Sequence, residues 1–384
     1  MRNVWRTPLV LSLALALFGC GDTAREPLGP EGVDARLTAS DPLVVMTRNL
    51  YLGADIDILL GGGDPVDVIG DAYAQLVVNN AGNMGRALAL AMEIAEQRPH
   101  LIGLQEVTRY EVSPDGLSWT VLVDYIGALQ AYLAFIGLAG DYTTAVRQDN
   151  VSLALPLVLG GVFQGFIRYT DGDAILVRDD VPWSESAMGY YDAQVVLSVG
   201  GFTFENLRGW NAVTATAAGH TLRFVNTHLE IQRFAEVQEA QARELVELFD
   251  DESRPVVMVG DFNSAADPHA DPGQVTDSYR IFRQAGFADL WLRQPHSVGG
   301  LTCCFSSLLT DPDPSLHARL DLVLARYGAA GFGGQVSMDV VGEEPADRIQ
   351  VTDPVLGILE LWPSDHAGVV AQLWPAPGIL ARFD

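Results

Sequence analysis

Short apolar runs recur along the chain, and many of them stop on a polar residue. Leu43 to Met46, Leu101 to Leu104, Ala174 to Val177, Leu222 to Val225, Val256 to Val259 and Gly368 to Leu373 are rich in branched aliphatic side chains. Runs of that length predict buried strands. Arg319 to Leu324 alternates instead, which places Asp321 opposite the flanking leucines. Between the strands, Ala, Leu and Val recur at helical spacing over Asp67 to Gln97, Arg233 to Phe249 and Asp277 to Ala285. Pro99 stops the first of these helices. Ala193 to Val199, Arg208 to Ala217 and Thr221 to Asn226 read as hairpin strands, with Ala218-Gly219-His220 as a tight turn. Phe287 to Trp291 is a short extended piece.

The chain from Thr108 to Tyr169 has the least regular pattern. Leu117 to Leu138 predicts an apolar helix, and Val151 to Ile167 is apolar with Gly and Pro scattered through it. Both are packing elements inserted around 108–169, or they shape a substrate pocket or touch lipid. Asp171-Gly172-Asp173 predicts a turn before the next strand.

What the strands deliver matters more than the strands themselves. Asn49, Glu106, His228 and Asp261 follow apolar runs, Asn263 lies two residues further on, and Asp365 and His366 precede the closing strand. Phe262 between Asp261 and Asn263 points the other way, so that a carboxylate and a carboxamide share one face. Repeated delivery of acids, amides and imidazoles to strand ends predicts a shared cleft. Hard oxygen donors with few histidines suit Mg²⁺ or Mn²⁺. The sequence holds no Gly-x-Ser-x-Gly elbow, Walker loop or His-Glu-x-x-His helix.

Composition narrows the partner. At 384 residues, 48% hydrophobic and with a mean hydropathy of +0.16, the chain has ample material for a core. It carries 49 acidic residues against 23 basic ones, all Arg, for a net charge of −26. Such a field repels nucleic acid and anionic lipid surfaces at long range, although a local Arg cluster or a divalent cation can invert the sign within a cleft. Arg208 is a candidate to reach a phosphate or a structural arginine.

The N-terminus predicts export. Arg2 and Arg6 precede the apolar run Leu9 to Phe18, the layout of a signal peptide over residues 1–19. Leu17-Phe18-Gly19-Cys20 resembles a bacterial lipobox, with Cys20 lipidated, so an envelope lipoprotein held to the membrane is expected, or a secreted protein. Residues 20–40 are a Gly- and Pro-containing tether, and the folded domain spans 41–384. Cys303 and Cys304 are adjacent and either form a disulfide or stay as two thiols. With no further cysteine available, they do not make a metal site.

Thr-Arg-Asn at 47–49, Leu-Gln-Glu-Val at 104–107, Asn-Thr-His-Leu at 226–229, Gly-Asp-Phe-Asn at 260–263, Arg-Leu-Asp-Leu-Val-Leu at 319–324 and Ser-Asp-His at 364–366 occur in that order. Together they resemble the endonuclease/exonuclease/phosphatase superfamily of metal-dependent phosphoesterases. The resemblance implies a four-layer α/β/β/α sandwich of two mixed sheets between helices, the active site lying at one end. It implies Glu106 as the principal Mg²⁺ ligand, with Asn49 beside it and Asp365 as a second metal or hydrogen-bonding carboxylate. Asp261 then orients or deprotonates the attacking water, and Asn263 donates to the phosphoryl oxygen. Asp321 and His366 form a carboxylate–imidazole pair, with His228 as second catalytic histidine. Asp55 and Asp57, in the acidic loop after Asn49, are candidate extra ligands or solvated loop carboxylates. The expected protein is a monomeric, divalent-metal-dependent hydrolase of a phosphodiester or phosphomonoester, with a phospholipid or small organophosphate favoured. A secreted DNase I-like endonuclease and a non-catalytic binding lipoprotein are the alternatives.

Overall fold

Strand β1 (Leu43–Asn49) is buried at every position, because a second sheet covers one of its faces and helices cover the other. Leu43 and Val45 point between the sheets, while Val44 and Met46 point to the helices. The computed structural model describes residues 41–55, 65–199, 202–267, 272–294, 299–313, 315–327 and 334–374. The leader, the tether, Cys20 and Asp57 lie outside the described residues. None of the described helices is long and apolar enough to cross a membrane.

In chain order β1 is followed by α1 (Pro65–Asn79), α2 (Ala81–Met84), α3 (Arg86–Gln97), β2 (Leu101–Gln105), β3 (Arg109–Ser113), β4 (Thr120–Asp124), α4 (Tyr125–Phe135), β5 (Tyr142–Leu159) and β6 (Val162–Arg178). Then come β7 (Trp183–Tyr190), β8 (Val195–Val199), β9 (Phe202–Asn206), β10 (Gly209–Ala217), β11 (His220–His228), α5 (Ala235–Leu248), β12 (Val256–Asp261) and α6 (Ser278–Gln284). The chain closes with β13 (Ala288–Asp289), β14 (Asp321–Arg326), β15 (Val336–Val341), β16 (Ile349–Asp353), β17 (Gly357–Leu361) and β18 (Gly368–Leu373).

The first large sheet runs β15-β18-β1-β2-β6-β3-β4, with β5 also on β6; the second runs β13-β14-β12-β11-β10-β7. Both are mixed: β1 pairs with β2, and β11 with β12, in parallel, within otherwise antiparallel sheets. Val45, Leu101, Ile175, Phe224, Val257, Val323 and Val369 fill the space between the sheets. Leu90, Ile94, Leu129 and Leu133 of α3 and α4 cover the outer face of the first sheet. Ala242, Leu245 and Phe282 of α5 and α6 cover that of the second. The expected four-layer sandwich is therefore present.

Near the site the inter-sheet layer turns polar. Gln105 Nε2 donates to Asn226 Oδ1 at 2.6 Å, and Asn226 Nδ2 donates to Leu104 O at 3.0 Å and Asn211 Oδ1 at 2.9 Å. A Cβ at position 103 would sit 2.5 Å from both Asn226 Oδ1 and Val259 Cγ2. Gly103 thus lets the two sheets close tightly enough for these bonds to form.

Three local expectations are corrected. The stretch from Asp67 to Gln97 is broken into α1, α2 and α3, because Gly82 and Asn83 adopt left-handed φ values of 63° and 58° inside an Asn- and Gly-rich segment. Leu117 to Leu138 is not helical throughout. Its β-branched start forms β4, and the Asp124 side chain caps α4 by accepting from Gly127 N at 3.2 Å. Asp171-Gly172-Asp173 is no turn but the interior of β6, where the partner strand shifts register between Asp149 and Val151. Val151 to Ile167 belongs to the long β5–β6 hairpin of the first sheet.

Candidate functional site

Register brings the polar strand ends to one place. Asn49 lies level with Gln105, one residue before Glu106. His228 lies level with Asp261, and Asp261 with Asp321. His366 enters beside them just before β18, in a bridge with Cys303. Glu106, Arg208, His228, Asp261, Asn263, Asp365 and His366 all line one cleft of about 650 Å³. Asn49 and Asp321 stand directly behind it, bonded to members of this group.

The backbone is bent to present them. Tyr51, Glu106 and Asn263 have φ of 58°, 54° and 49°, a region that costs a side-chain-bearing residue about 1–3 kcal/mol. Hydrogen bonds hold the bends. Asn49 Oδ1 accepts from Tyr51 N at 2.8 Å, Asp261 Oδ1 from Asn263 N at 2.9 Å, and Glu106 Oε2 from Leu52 N at 2.6 Å. Asn49 Nδ2 bridges Glu106 Oε1 at 3.0 Å and Asp261 Oδ2 at 3.2 Å, so it fixes the spacing of the two acids.

Two histidines flank Asp261 in opposite charge states. His366 Nδ1 donates to Asp321 Oδ2 at 2.8 Å, and its Nε2 lies 3.8 Å from Asp261 Oδ2. Burial alone would lower the pKa of His366, but Asp321, Asp261 and Asp365 outweigh it and hold the imidazole charged. His228 Nδ1 accepts from Arg208 Nη1 at 2.9 Å, which leaves the ring's one N–H on Nε2, 3.6 Å from Asp261 Oδ2 and 3.1 Å from Asn263 Nδ2, whose amide donates to Leu229 O at 3.0 Å. Burial, then Arg208, pushes its pKa well below the usual value, so His228 is neutral.

The acids repel one another. Burial raises the pKa of Glu106 to about 8, with Asp365 and Asp171 adding to it. Burial, opposed by His366 and reinforced by Asp321, raises Asp261 to about 6. Asp365 is raised as well, by burial first. Glu106 and Asp365 are half-open to the cleft, which tempers these shifts by solvent screening. The donor set fits a hard divalent cation. Glu106 and Asp365 face the cleft as hard oxygen donors whose crowding a cation would relieve, and behind them Asp321 Oδ1 is buried with no hydrogen-bond partner among the described residues. Among the described residues, His366 and Arg86 bring positive charge to these carboxylates, and Arg208 attracts Glu106.

Some members of the site are not legible as such in the sequence. Asp171 lines the cleft and accepts from Thr108 Oγ1 at 2.8 Å, although Asp-Gly-Asp reads as a turn. The available signal was an acid pair abutting an apolar strand without a break. Glu230 anchors Arg208 from 3.8 Å, and Arg86 stacks over Tyr125 at 4.2 Å while donating to the Tyr51 carbonyl at 2.7 Å. Asp55 lies at the rim, its N–H donating to Gln75 Oε1 at 2.9 Å.

The Endonuclease/Exonuclease/phosphatase family model matches residues 76–366, a span that includes every site residue above except Asn49, Tyr51, Leu52, Asp55 and Gln75. No curated protein matches the sequence. An endonuclease/exonuclease/phosphatase family protein from Leptotrichia buccalis C-1013-b superposes with a TM-score of 0.53 at 16% identity, covering 86% of this chain and 99% of its own. A second such family protein, from Bacteroides thetaiotaomicron, gives a TM-score of 0.50 at 16% identity over 87% of this chain and 96% of its own. A mannosyl-6-phosphatase from Bacteroides thetaiotaomicron VPI-5482 gives 0.49 at 17% identity over 86% and 99%. Matching sequence, two mixed sheets and a shared acid–imidazole cleft agree that the chain belongs to the endonuclease/exonuclease/phosphatase family and is a phosphoric ester hydrolase.

Proposed function

We propose that the chain is an exported, lipid-anchored phosphoesterase that uses Mg²⁺ or Mn²⁺ and cleaves a phosphate ester carrying an apolar group, with a phospholipid as the favoured class. The observation that carries this reading is the two-sided cleft. Its floor is the acid–imidazole cluster, and its wall is apolar: Val151, Leu153 and Leu155 of β5, Ile167 of β6, Ile69 and Leu76 of α1. Further along the same hairpin, Val162 and Phe163 are 60% and 55% exposed, and nearby Leu117 is 84% exposed. An apolar wall running out to exposed apolar residues suits a substrate presented from a lipid surface.

Glu106, with Asn49 and Asp365 beside it, would hold the cation, which supplies positive charge to a phosphoryl oxygen. The side chains do the rest. His366, held charged by Asp321, donates from Nε2 to a phosphoryl oxygen, and Asn263 donates its amide to another. Asp261 takes a proton from water as the new P–O bond forms and the ester bond breaks, the departing ester oxygen leaving with a proton from solvent. His228, neutral and bonded to Arg208, spaces Asn263 and Asp261, and Arg208 offers its charge to the anionic group.

The test is hydrolysis by the purified chain with Mg²⁺ or Mn²⁺ of bis-(p-nitrophenyl) phosphate, sphingomyelin, inositol phosphates and plasmid DNA. Preference for the lipid supports the reading, DNA cleavage supports a nuclease, and no turnover of any substrate returns the chain to a binding role. Cys20→Ser should release the protein from the membrane fraction; retention there would rule out lipidation as the tether.

Metal binding has a separate readout. Because the folded pKa of Glu106 lies near 8, above its ordinary value of 4.5, the stability it contributes in the metal-free chain is full below about pH 4.5 and lost as pH rises through about 8. A cation takes the place of the proton. The rise in Tm on adding Mn²⁺ should therefore be larger at about pH 9 than at about pH 6, and Glu106→Gln should abolish the difference. An equal rise at both pH values would remove Glu106 from the metal site.

A further inference from the structure

Cys303 and Cys304 line the cleft beside His366. Backbone bonds strap their segment to the histidine's: Phe305 N donates to Asp365 O at 2.7 Å and Ala367 N to Thr302 O at 2.8 Å. Cys303 itself bridges to His366 and to Ala318. Cys304 Sγ lies 3.9 Å from His366 Nε2, and both sulfurs lie with a ring nitrogen of His366 within 4.8 Å of one another. The sulfurs are joined as a disulfide. Two cysteines alone are too few for a metal, which is how the sequence reads; the third ligand is supplied by the fold.

We propose that reduction of the Cys303–Cys304 disulfide opens a site for one soft divalent cation, held by the two thiolates and Nε2 of His366. The hard cation expected at the carboxylates has little affinity for sulfur, whereas Zn²⁺ and Cd²⁺ favour thiolate and imidazole together. A dithiol reductant breaks the S–S bond, giving up two electrons and two protons to form two thiols and closing to its own disulfide. The cation then displaces both thiol protons and the Nε2 proton of His366. Nδ1–H stays on Asp321 at 2.8 Å, so a carboxylate already orients the ring for a metal at its other nitrogen. Cys304 is half-buried and open to the cleft, which admits both reductant and cation. Occupation would take His366 away from the phosphate and silence hydrolysis. That consequence rests on the hydrolytic reading; the binding site does not.

The experiment is a Cd²⁺ titration of the full chain, reduced with a dithiol and freed of excess reductant, in saturating Mg²⁺ to hold the carboxylate site. The expected result is a thiolate-to-cadmium charge-transfer band that saturates at one cadmium per chain, with hydrolysis falling at least about tenfold in step. The unreduced chain and Cys303→Ser/Cys304→Ser should show neither. His366→Asn should weaken cadmium binding by about tenfold or more, and Cys304→Ser, which keeps the buried Cys303, should weaken it too and covers a double variant that fails to fold. Absence of the band in the reduced chain, or undiminished affinity in His366→Asn, overturns the site. A band with hydrolysis unchanged overturns the silencing. A chain without hydrolysis under any condition contradicts the phosphoesterase reading, while the band still decides the metal site.

Discussion

His366→Ala should lower kcat for phosphate-ester hydrolysis by at least about 10²–10³-fold, the usual cost of losing one donor to developing oxyanion charge. The imidazole is held charged by Asp321, Asp261 and Asp365; the ring is buried and donates to Asp321 at 2.8 Å, while the backbone carbonyl accepts from Arg48 Nη1. Truncation leaves Asp321 buried without its partner, so Tm should fall as well, and the loss of rate is to be read at a temperature where circular dichroism shows the variant folded. Asp321→Asn should imitate the loss in part, since the amide no longer stabilises the imidazolium. A variant that unfolds instead would make His366 structural, and one that keeps its rate would remove it from the reaction.

Asp261→Ala should cost still more, about 10³–10⁴-fold in kcat, as expected for a base that touches the attacking water. Its effects on rate and stability run in opposite senses. With a folded pKa near 6 against an ordinary 3.8, the carboxylate contributes stability fully below about pH 3.8 and loses it as pH rises through about 6. Activity needs the ionised form, so the rate of the parent should fall as pH drops below about 6, and this acid limb should be missing from whatever rate the variant retains. Above about pH 7 the variant sheds a buried charge and its repulsion with Asp321 but loses the attraction of His366 and two hydrogen bonds, from Asn263 N and Asn49 Nδ2, so a small net change in Tm is expected. Full turnover by the variant would place the base elsewhere.

Two of the strands that carry the site were legible because each is an apolar run that ends on a single polar side chain. Leu101 to Gln105 and Val256 to Asp261 are buried at every position, which strand periodicity and composition encode locally. The two-histidine arrangement was legible in its members but not in its charges. Nothing near His228 in sequence announces that Arg208, 20 residues away, would face its ring and keep it neutral. Asp171 was misread because a turn and a strand interior share the Asp-Gly-Asp pattern, and only the partner strand decides between them. The break at Gly82 and Asn83 was written in the residues, but the apolar face on either side of it looked continuous.

The bond between His366 and Asp321 crosses from the first sheet to the second, as does the bond between Asn49 and Asp261. Neither sheet owns a complete reaction centre. Any disturbance that lets the two halves slide by a fraction of an ångström disarms the chemistry while leaving every strand intact. Loss of turnover in mild denaturant would then precede loss of secondary structure, making catalysis itself a gauge of how firmly the halves are docked.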